Sequence, residues 1–206
     1  MESLYMTLFS TALSYLFGIP IGVILFITDK GGIAENKAVN SVVGIIVNLL
    51  RSVPFIILLV AIIPFTRLVV GTSIGATATI VPLVVAATPF IARMVESSLK
   101  EVDGGVIEAA LSMGSNNWQI ITKVLLPEAK PSLIVGSTIA ITTILGYSAM
   151  AGFVGGGGLG SIGINYGYYK YQTDIMFVTV ILLVIVVQIF QETGMRIASK
   201  MDKRKR

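Results

Sequence analysis

The chain has 206 residues, of which 54% are hydrophobic and 13% charged, and its formal net charge is +4. A soluble domain has about 25% charged residues and exposes few large apolar patches, and disordered chains are polar, so this composition excludes both classes and indicates an integral membrane protein. The sequence contains no cysteine and no histidine. It therefore excludes disulfides, metal sites built from Cys or His, and catalysis by a histidine base or a cysteine nucleophile.

Apolar runs long enough to cross a bilayer as helices recur along the chain, since about 20 apolar residues are needed for one crossing. They predict an all-α, polytopic membrane protein, with one transmembrane domain over residues 1–206 and five transmembrane helices at about residues 4–28, 40–64, 70–92, 131–151 and 174–194. The runs are continuous rather than alternating, which argues against a β-barrel.

The first run has no basic residue before Lys30 and is interpreted as a retained helix rather than a signal peptide. Gly18 and Gly22 within it are spaced for close packing against another helix.

Basic residues set the orientation of the helices, because cytoplasmic loops are enriched in Lys and Arg. With the N-terminus outside and the C-terminus in the cytoplasm, 12 of the 15 basic residues lie on the cytoplasmic side and only Arg67 and Lys170 lie outside. The basic tail at residues 200–206 is interpreted as an anchor beside anionic lipid, and no nucleic-acid partner is expected.

Arg51 interrupts the second run and precedes Ser52 and Pro54. A charged side chain at mid-bilayer depth is costly and usually faces a cavity or a partner. Three interpretations stay open for Arg51: pairing with backbone carbonyls freed by Pro54, a place in a transport pathway or gate, and snorkelling toward one interface.

A polar segment at about residues 101–126 lies between the third and fourth runs, on the predicted cytoplasmic side. Asp103 and Gly114 are suited to begin and end a short helix, with an apolar face made of Val102, Val106, Ala109, Ala110 and Met113. A second short helix is predicted from about Asn116 to Leu125, with Trp118, Ile121 and Leu125 on one side. Pro127 and Pro131 are expected to end this helix and to begin the fourth span. The first helix has acidic and no basic residues on its polar face, which favours a protein partner over a lipid surface.

The fourth run continues without a charge as far as Tyr169 and includes the glycine-rich stretch 152–167. Its Gly-x-Gly-x-x-Gly patterns lack the preceding strand of a dinucleotide site. The stretch is expected to form an outer vestibule or a tight packing turn. The tyrosines that follow, Tyr166, Tyr168, Tyr169 and Tyr171, are interpreted as an aromatic belt or as substrate contacts.

The pattern from Glu108-Ala109-Ala110 through Gly114 and Val124 to Leu126-Pro127 resembles the EAA motif of ABC importer permeases. The resemblance implies that Glu108, Ala109, Ala110 and Gly114 belong to a coupling helix that docks on an ATP-binding cassette ATPase subunit. No Gly-x-x-x-x-Gly-Lys-[Ser/Thr] phosphate loop occurs in the chain, so ATP is expected to bind the partner and not this chain.

The stretch Arg51 to Phe55, the stretch Gly146 to Gly152 and the five-helix plan are similar to bacterial methionine-uptake permeases. This resemblance implies a bacterial plasma-membrane transport subunit that is not itself an enzyme. The resemblance also implies that the subunit pairs with a second copy of itself, binds the ATPase and receives methionine or related amino acids from a substrate-binding lipoprotein. The candidate pathway or gate residues are Arg51, Ser52, Pro54, Tyr147, Ser148 and Met150.

Three other classes of function are alternatives to this one. The first is a permease for another small amino acid or an osmolyte. The second is a secondary transporter or channel, which is disfavoured because no acidic residue lies at mid-depth. The third is a membrane-embedded enzyme, which is disfavoured because the spans hold no paired carboxylates.

Overall fold

The computed structural model describes residues 1–201, which contain helices and no strand. Eleven α-helices follow one another in this part of the chain: α1 (Glu2–Ile27), α2 (Lys37–Ser52), α3 (Phe55–Ala61), α4 (Ile63–Val70), α5 (Ala76–Lys100), α6 (Gly104–Ser112), α7 (Asn117–Ile120), α8 (Leu126–Glu128), α9 (Lys130–Met150), α10 (Gly158–Ile162) and α11 (Thr173–Met201). A 3₁₀ turn at Ala151–Val154 and π-helical turns at Ile121–Leu125 and Gly163–Tyr168 join some of them.

Four helical stretches are long and apolar enough to cross a membrane: α1, α5, the 39-residue run Lys130–Tyr168, and α11. The pair of α2 and α3 brings the number to five if the two bent halves form one span. The predicted all-helical class is therefore confirmed, together with four or five apolar spans. The basic tail assigned from the sequence lies, from residue 202 onward, outside the described residues.

The second predicted span, 40–64, is not one continuous helix, because the chain bends by 99° between α2 and α3. Pro54 has no N–H to continue the hydrogen-bond ladder, and Val53 before it is extended with φ −81° and ψ 123°. After the bend, the chain runs through the short helices α3 and α4 to Gly71, whose φ of 83° ends α4 in the left-handed region.

The third helix is shifted toward the C-terminus relative to the predicted span 70–92. It begins at Ala76, after Gly75 with φ 98°, and it continues through Arg93 as far as Lys100. Charged residues do not end this helix, because Arg93 pairs with Glu96 and Glu96 pairs with Lys100 one turn further along.

The centre of the bundle is the contact between α1 and α5. The buried residues of α1 are mostly small, and the larger ones are Met6, Val23 and Leu25. The small ones are Ser3, Thr7, Ser10, Thr11, Ser14, Gly18 and Gly22. A Cβ atom built on Gly18 would lie 2.6 Å from Cγ2 of Ile91, and one built on Gly22 would lie 2.5 Å from the backbone oxygen of Ala92. The two helices therefore pack backbone to backbone, as the Gly18–Gly22 spacing predicts.

The bundle has two distinct ends. At the polar-segment end, Lys100 pairs with Asp29 at 2.9 Å, and the Nδ2 atom of Asn117 donates to the carbonyl of Ile33 at 3.4 Å. At the glycine-rich end, the N–H of Gly75 donates to the carbonyl of Gly155 at 2.9 Å. The polar segment and the glycine-rich stretch therefore lie at opposite ends of α5.

Substituting Gly22 by alanine should destabilise the chain, because the added methyl group would overlap the backbone of α5. Overpacking of this kind costs about 1–3 kcal/mol. We expect Gly22→Ala to lower the thermal unfolding midpoint of the detergent-purified protein. Gly146→Ala on α9 is the control, since a Cβ there has no neighbour within 4 Å. Equal midpoints for the two variants would contradict the close α1–α5 contact.

Candidate functional site

The polar segment forms a short helix with a cap at each end. Asp103 is the N-cap of α6, where its Oδ1 atom accepts from the N–H of Gly105 at 2.7 Å. At the other end, Gly114 has φ 78°, a conformation that favours glycine, and the N–H of the next residue, Ser115, donates to the carbonyl of Ala110. Asp103 and Gly114 thus occupy the positions that the sequence predicts.

The apolar face of this helix differs from the predicted one. Val102 and Ala110 are buried against the bundle, but Val106, Ala109 and Met113 are exposed. The spacing predicts one buried stripe, whereas the structure divides the predicted residues between the bundle and the surface. Only part of the apolar pattern is used to hold α6 in place.

The outer surface of α6 and α7 therefore carries an exposed apolar group beside the acidic side chain of Glu108. Leu111 is 46% exposed, Met113 79% and Trp118 72%. Glu108 and Ala109 are also on the surface, whereas Ala110 is 2% exposed. Exposed apolar groups rimmed by polar residues are typical of protein–protein contact sites. We call the exposed residues Glu108, Ala109, Leu111, Met113 and Trp118 the docking surface.

The second short helix is also assembled differently from the prediction. Asn116 and Gln119 form a reciprocal capping box at the start of α7, and the chain then passes through a π-helical turn into α8. Pro127 does not end a helix but lies in the first turn of α8, where a missing N–H is tolerated. Trp118 is exposed while Ile120 and Leu125 are fully buried, so the predicted grouping of Trp118 with Leu125 is wrong.

Arg51 lies in the last turn of α2, beside the bend, and its side chain is exposed. A cation is favoured at a helix C-terminus. Ser52, not Arg51, uses a local carbonyl, because its hydroxyl donates to the carbonyl of Asn48 at 2.8 Å. Among residues 1–201, no hydrogen bond or ion pair to Arg51 is present. The interpretation that freed carbonyls pair with Arg51 is therefore not supported.

The bend at Pro54 brings α3 against α9 through two aromatic rings. Phe55 and Tyr147 are stacked, with ring centroids 4.5 Å apart and an interplanar angle of 5°. Phe55 is 7% exposed and Tyr147 is half-buried. Sequence spacing could not pair these rings, which are distant in the chain and meet only because the chain turns at Pro54.

The other two pathway candidates on α9 point in different directions. Ser148 is buried, and its hydroxyl donates to the carbonyl of Leu145 at 2.7 Å. Met150 is 44% exposed. Of the six candidates, the structure thus brings together Pro54 and Tyr147, through Phe55, and it places the hydroxyl of Ser148 inside the protein rather than in an open space.

The glycine-rich stretch forms a tightly packed cap on the bundle. A Cβ atom on Gly152 would lie 2.5 Å from the backbone carbon of Gly160. The N–H of Gly158 donates to the carboxylate of Glu2 at 2.6 Å, and the N–H of Leu159 donates to Ser3 at 2.8 Å. The expected packing turn is therefore present, and the N-terminal residues of α1 fix it in place.

Two further features lie at this end of the bundle. A cavity of about 230 Å³ between α3, α4, α5 and the 3₁₀ turn is lined by apolar side chains and by three hydroxyl-bearing residues, Thr66, Ser73 and Thr79. All four tyrosines of the predicted belt are exposed: Tyr166, Tyr168, Tyr169 and Tyr171.

Comparison with known proteins places this architecture in a family. Residues 9–198 match the family described as the binding-protein-dependent transport system inner membrane component. The chain belongs to this family. It is the permease component of an ABC importer, in which a separate subunit hydrolyses ATP.

Curated relatives extend over nearly the whole chain. The probable D-methionine transport system permease protein MetI of Vibrio cholerae serotype O1 is 52% identical over 203 residues, which cover 98% of this chain and 90% of the relative. The methionine import system permease protein MetP of Bacillus subtilis is 46% identical over 181 residues, covering 88% of this chain and 82% of the relative.

A solved structure with the same fold describes inward-facing conformations of the MetNI methionine ABC transporter. One chain of it matches this chain with a TM-score of 0.97 and 51% identity, covering 98% of this chain and 94% of that one. An amino acid ABC transporter solved with histidines shares the fold at a TM-score of 0.72 and 19% identity, covering 98% of this chain and 90% of that one.

The stacked rings should contribute a measurable interaction free energy. We expect a double-mutant cycle of Phe55→Leu and Tyr147→Leu, followed by thermal unfolding in detergent, to give a coupling of about 0.5–1.5 kcal/mol, the range for aromatic pairs. Phe9 lies on α1 and stacks with Tyr5 instead. A cycle of Phe9→Leu with Tyr147→Leu should therefore be additive, and coupling equal to that of the first cycle would contradict the stack.

Proposed function

We propose that the chain is the membrane-spanning subunit of an ATP-driven importer of methionine and related amino acids, which moves its substrate by alternating access. The observation that carries the proposal is the 51% identity and TM-score of 0.97 with a methionine ABC transporter over 98% of this chain. A fold alone does not define a substrate, but this match combines the fold with identity at about half of the aligned residues.

The docking surface is the contact with the ATPase subunit. Its exposed apolar residues, Leu111, Met113 and Trp118, supply buried area, and the carboxylate of Glu108 supplies a charge that a basic partner residue can pair with. Ala109 has a small side chain, so a partner can approach the backbone of α6 closely. The coupling residues are Glu108, Ala109, Ala110 and Gly114. Ala110 packs α6 against the bundle, and Gly114 forms the turn that ends the helix.

A second copy of the chain completes the pathway. Arg51 and Ser52 lie on the surface at the end of α2, beside apolar side chains such as Leu49. An arginine facing lipid in the middle of a span is costly, so this face of α2 is better placed against a partner copy and a water-filled pathway. Pro54 is at the bend that follows, Tyr147 stacks on Phe55 next to that bend, and Met150 is an exposed residue of α9 three positions after Tyr147. Ser148 acts as a structural residue within α9.

The polar-segment end faces the cytoplasm, and the glycine-rich end faces outward. Eight of the basic residues in the described part of the chain lie at or near the polar-segment end: Lys30, Lys37, Arg93, Lys100, Lys123, Lys130, Arg196 and Lys200. This arrangement fits a multi-pass protein of the bacterial plasma membrane with its N-terminus outside. The outer end is then the place where a substrate-binding lipoprotein delivers its cargo.

The proposed orientation can be tested with single cysteines, because the chain has none of its own. In spheroplasts that express the chain alone, Gln172→Cys at the glycine-rich end should react with a membrane-impermeant maleimide. Ser112→Cys on α6 should react only after the membrane is permeabilised. Labelling of Ser112→Cys in intact spheroplasts would overturn the proposed orientation.

Transport can be tested in proteoliposomes that hold the chain, its ATPase subunit and its binding protein. We expect ATP-dependent uptake of radiolabelled methionine that unlabelled methionine inhibits more strongly than other small amino acids or osmolytes do. Leu111→Asp should abolish both uptake and co-purification of the ATPase, because a carboxylate would be buried in an apolar contact.

The control for this experiment is Leu68→Asp, which changes an exposed leucine at the opposite end of the bundle (83% exposed, against 46% for Leu111). This variant should retain the ATPase in the same pull-down. The proposed ATPase contact fails if Leu111→Asp retains the ATPase as well, and the proposed substrate fails if another amino acid competes better than methionine.

A further inference from the structure

A buried carboxylate lies at the polar-segment end of α5. Glu96 is 7% exposed, and two cations neutralise it. The Nη1 atom of Arg93 lies 2.6 Å from its Oε2 atom, and the Nζ atom of Lys100 lies 2.9 Å from its Oε1 atom. Lys100 also pairs with Asp29 in the loop after α1, and this hydrogen bond holds the pKa of the Asp29 carboxyl below its usual value. We call Asp29, Arg93, Glu96 and Lys100 the charged cluster.

Arg93 extends the charged cluster to a second helix. Its Nη2 atom donates to the carbonyl of Gly44 at 3.2 Å and to the Oδ1 atom of Asn48 at 2.9 Å, both on α2. Gly44 is buried, and a Cβ atom there would lie 3.4 Å from Nη2, which is an ordinary contact distance. Within residues 1–201, both of the side-chain hydrogen bonds that join α5 to α2 come from Arg93.

The hydrogen bonds of Arg93 connect α5, which precedes the docking surface, to α2, which precedes the bend at Pro54. α5 ends at Lys100, and α6 with the docking surface begins only four residues later, at Gly104. On the other side, α2 runs from Asn48 directly to its end at Ser52, beside Arg51 and the bend at Pro54. Arg93 therefore lies between the segment that meets the ATPase and the segment that borders the pathway.

We propose that Arg93 is a positioning residue that transmits movement of the coupling helix from α5 to α2, with Asn48 and the Gly44 carbonyl as its acceptors. This proposal rests on the proposed function. The planar guanidinium suits the task, because its separate N–H groups hold Glu96 and α2 at the same time, whereas a lysine ammonium offers no such fork. Glu96 fixes the orientation of Arg93 within α5.

A hydrogen bond that only stabilises the assembled protein (a structural staple) and one that transmits movement between helices (a transmitting link) differ in what their loss changes. Loss of a staple lowers the amount of assembled protein but leaves the number of substrates moved per ATP unchanged. Loss of a transmitting link leaves assembly intact and lowers that number, because the ATPase cycle proceeds without moving α2. The ratio of uptake to ATP hydrolysis therefore distinguishes the two roles.

The test uses the assembled transporter in proteoliposomes, with Asn48 as the residue changed. Asn48 is exposed, so its substitution leaves the charged cluster paired, whereas removing Arg93 would take one of two cations away from the buried Glu96 and endanger folding. We expect Asn48→Ala to lower methionine uptake per ATP hydrolysed by about tenfold, the scale of one hydrogen bond to a charged group. Asn48→Asp keeps an acceptor oxygen and should restore the ratio to within about twofold.

The matched control is Asn40→Ala. Asn40 also lies on α2, but its Nδ2 atom donates to the carbonyl of Leu25 at 2.8 Å and so ties α2 to α1. This variant should keep the wild-type ratio of methionine uptake to ATP hydrolysis. Equal ratios for Asn48→Ala and Asn40→Ala, or no recovery with Asn48→Asp, would overturn the role of Arg93.

The outcomes also separate this proposal from the proposed function. If the wild-type transporter moves methionine and Leu111→Asp loses the ATPase while Asn48→Ala keeps the normal ratio, only the role of Arg93 fails. If the wild-type transporter moves no methionine at all, the proposed function fails, and the role of Arg93 in it fails as well.

Discussion

The close approach of α1 and α5 is the constraint on which the remaining structure depends. At Gly18 and Gly22 there is no space for even a methyl group between α1 and α5. The two helices therefore cannot shift relative to each other without a steric clash. α5 carries the polar segment at one end and borders the glycine-rich cap at the other, while the first residues of α1 fasten that cap through Glu2 and Ser3. Both ends of the bundle are therefore held by one contact.

The sequence predicts those parts of the fold that depend on local chemistry. The helical class, the capping by Asp103, the left-handed turn at Gly114 and the close packing of Gly18 and Gly22 each follow from a property of one or two residue types. The apolar character of the spans follows from the bilayer, which accepts only helices or closed barrels.

Other parts depend on contacts between distant residues and could not be predicted in this way. Pro54 signals a break, but its 99° size and the stack of Phe55 on Tyr147 arise from packing against α9. The helix rotation that buries Ser148 and exposes Met150 is likewise a tertiary property. The third apolar run stops before Arg93, yet the helix continues to Lys100, since Arg93 pairs with Glu96.

The spans differ sharply in how much of their surface touches protein. In the most apolar window of α5, 56% of the residues are buried inside the chain, against 6% in α11. The sequence of α5 is therefore constrained by the shape of its neighbours, whereas most positions of α11 need only be hydrophobic. Exchanges among leucine, isoleucine and valine should therefore be tolerated more often in α11 than in α5. One position of α11 is constrained by packing: a Cβ atom on Gly194 would overlap the side chain of Thr138 on α9.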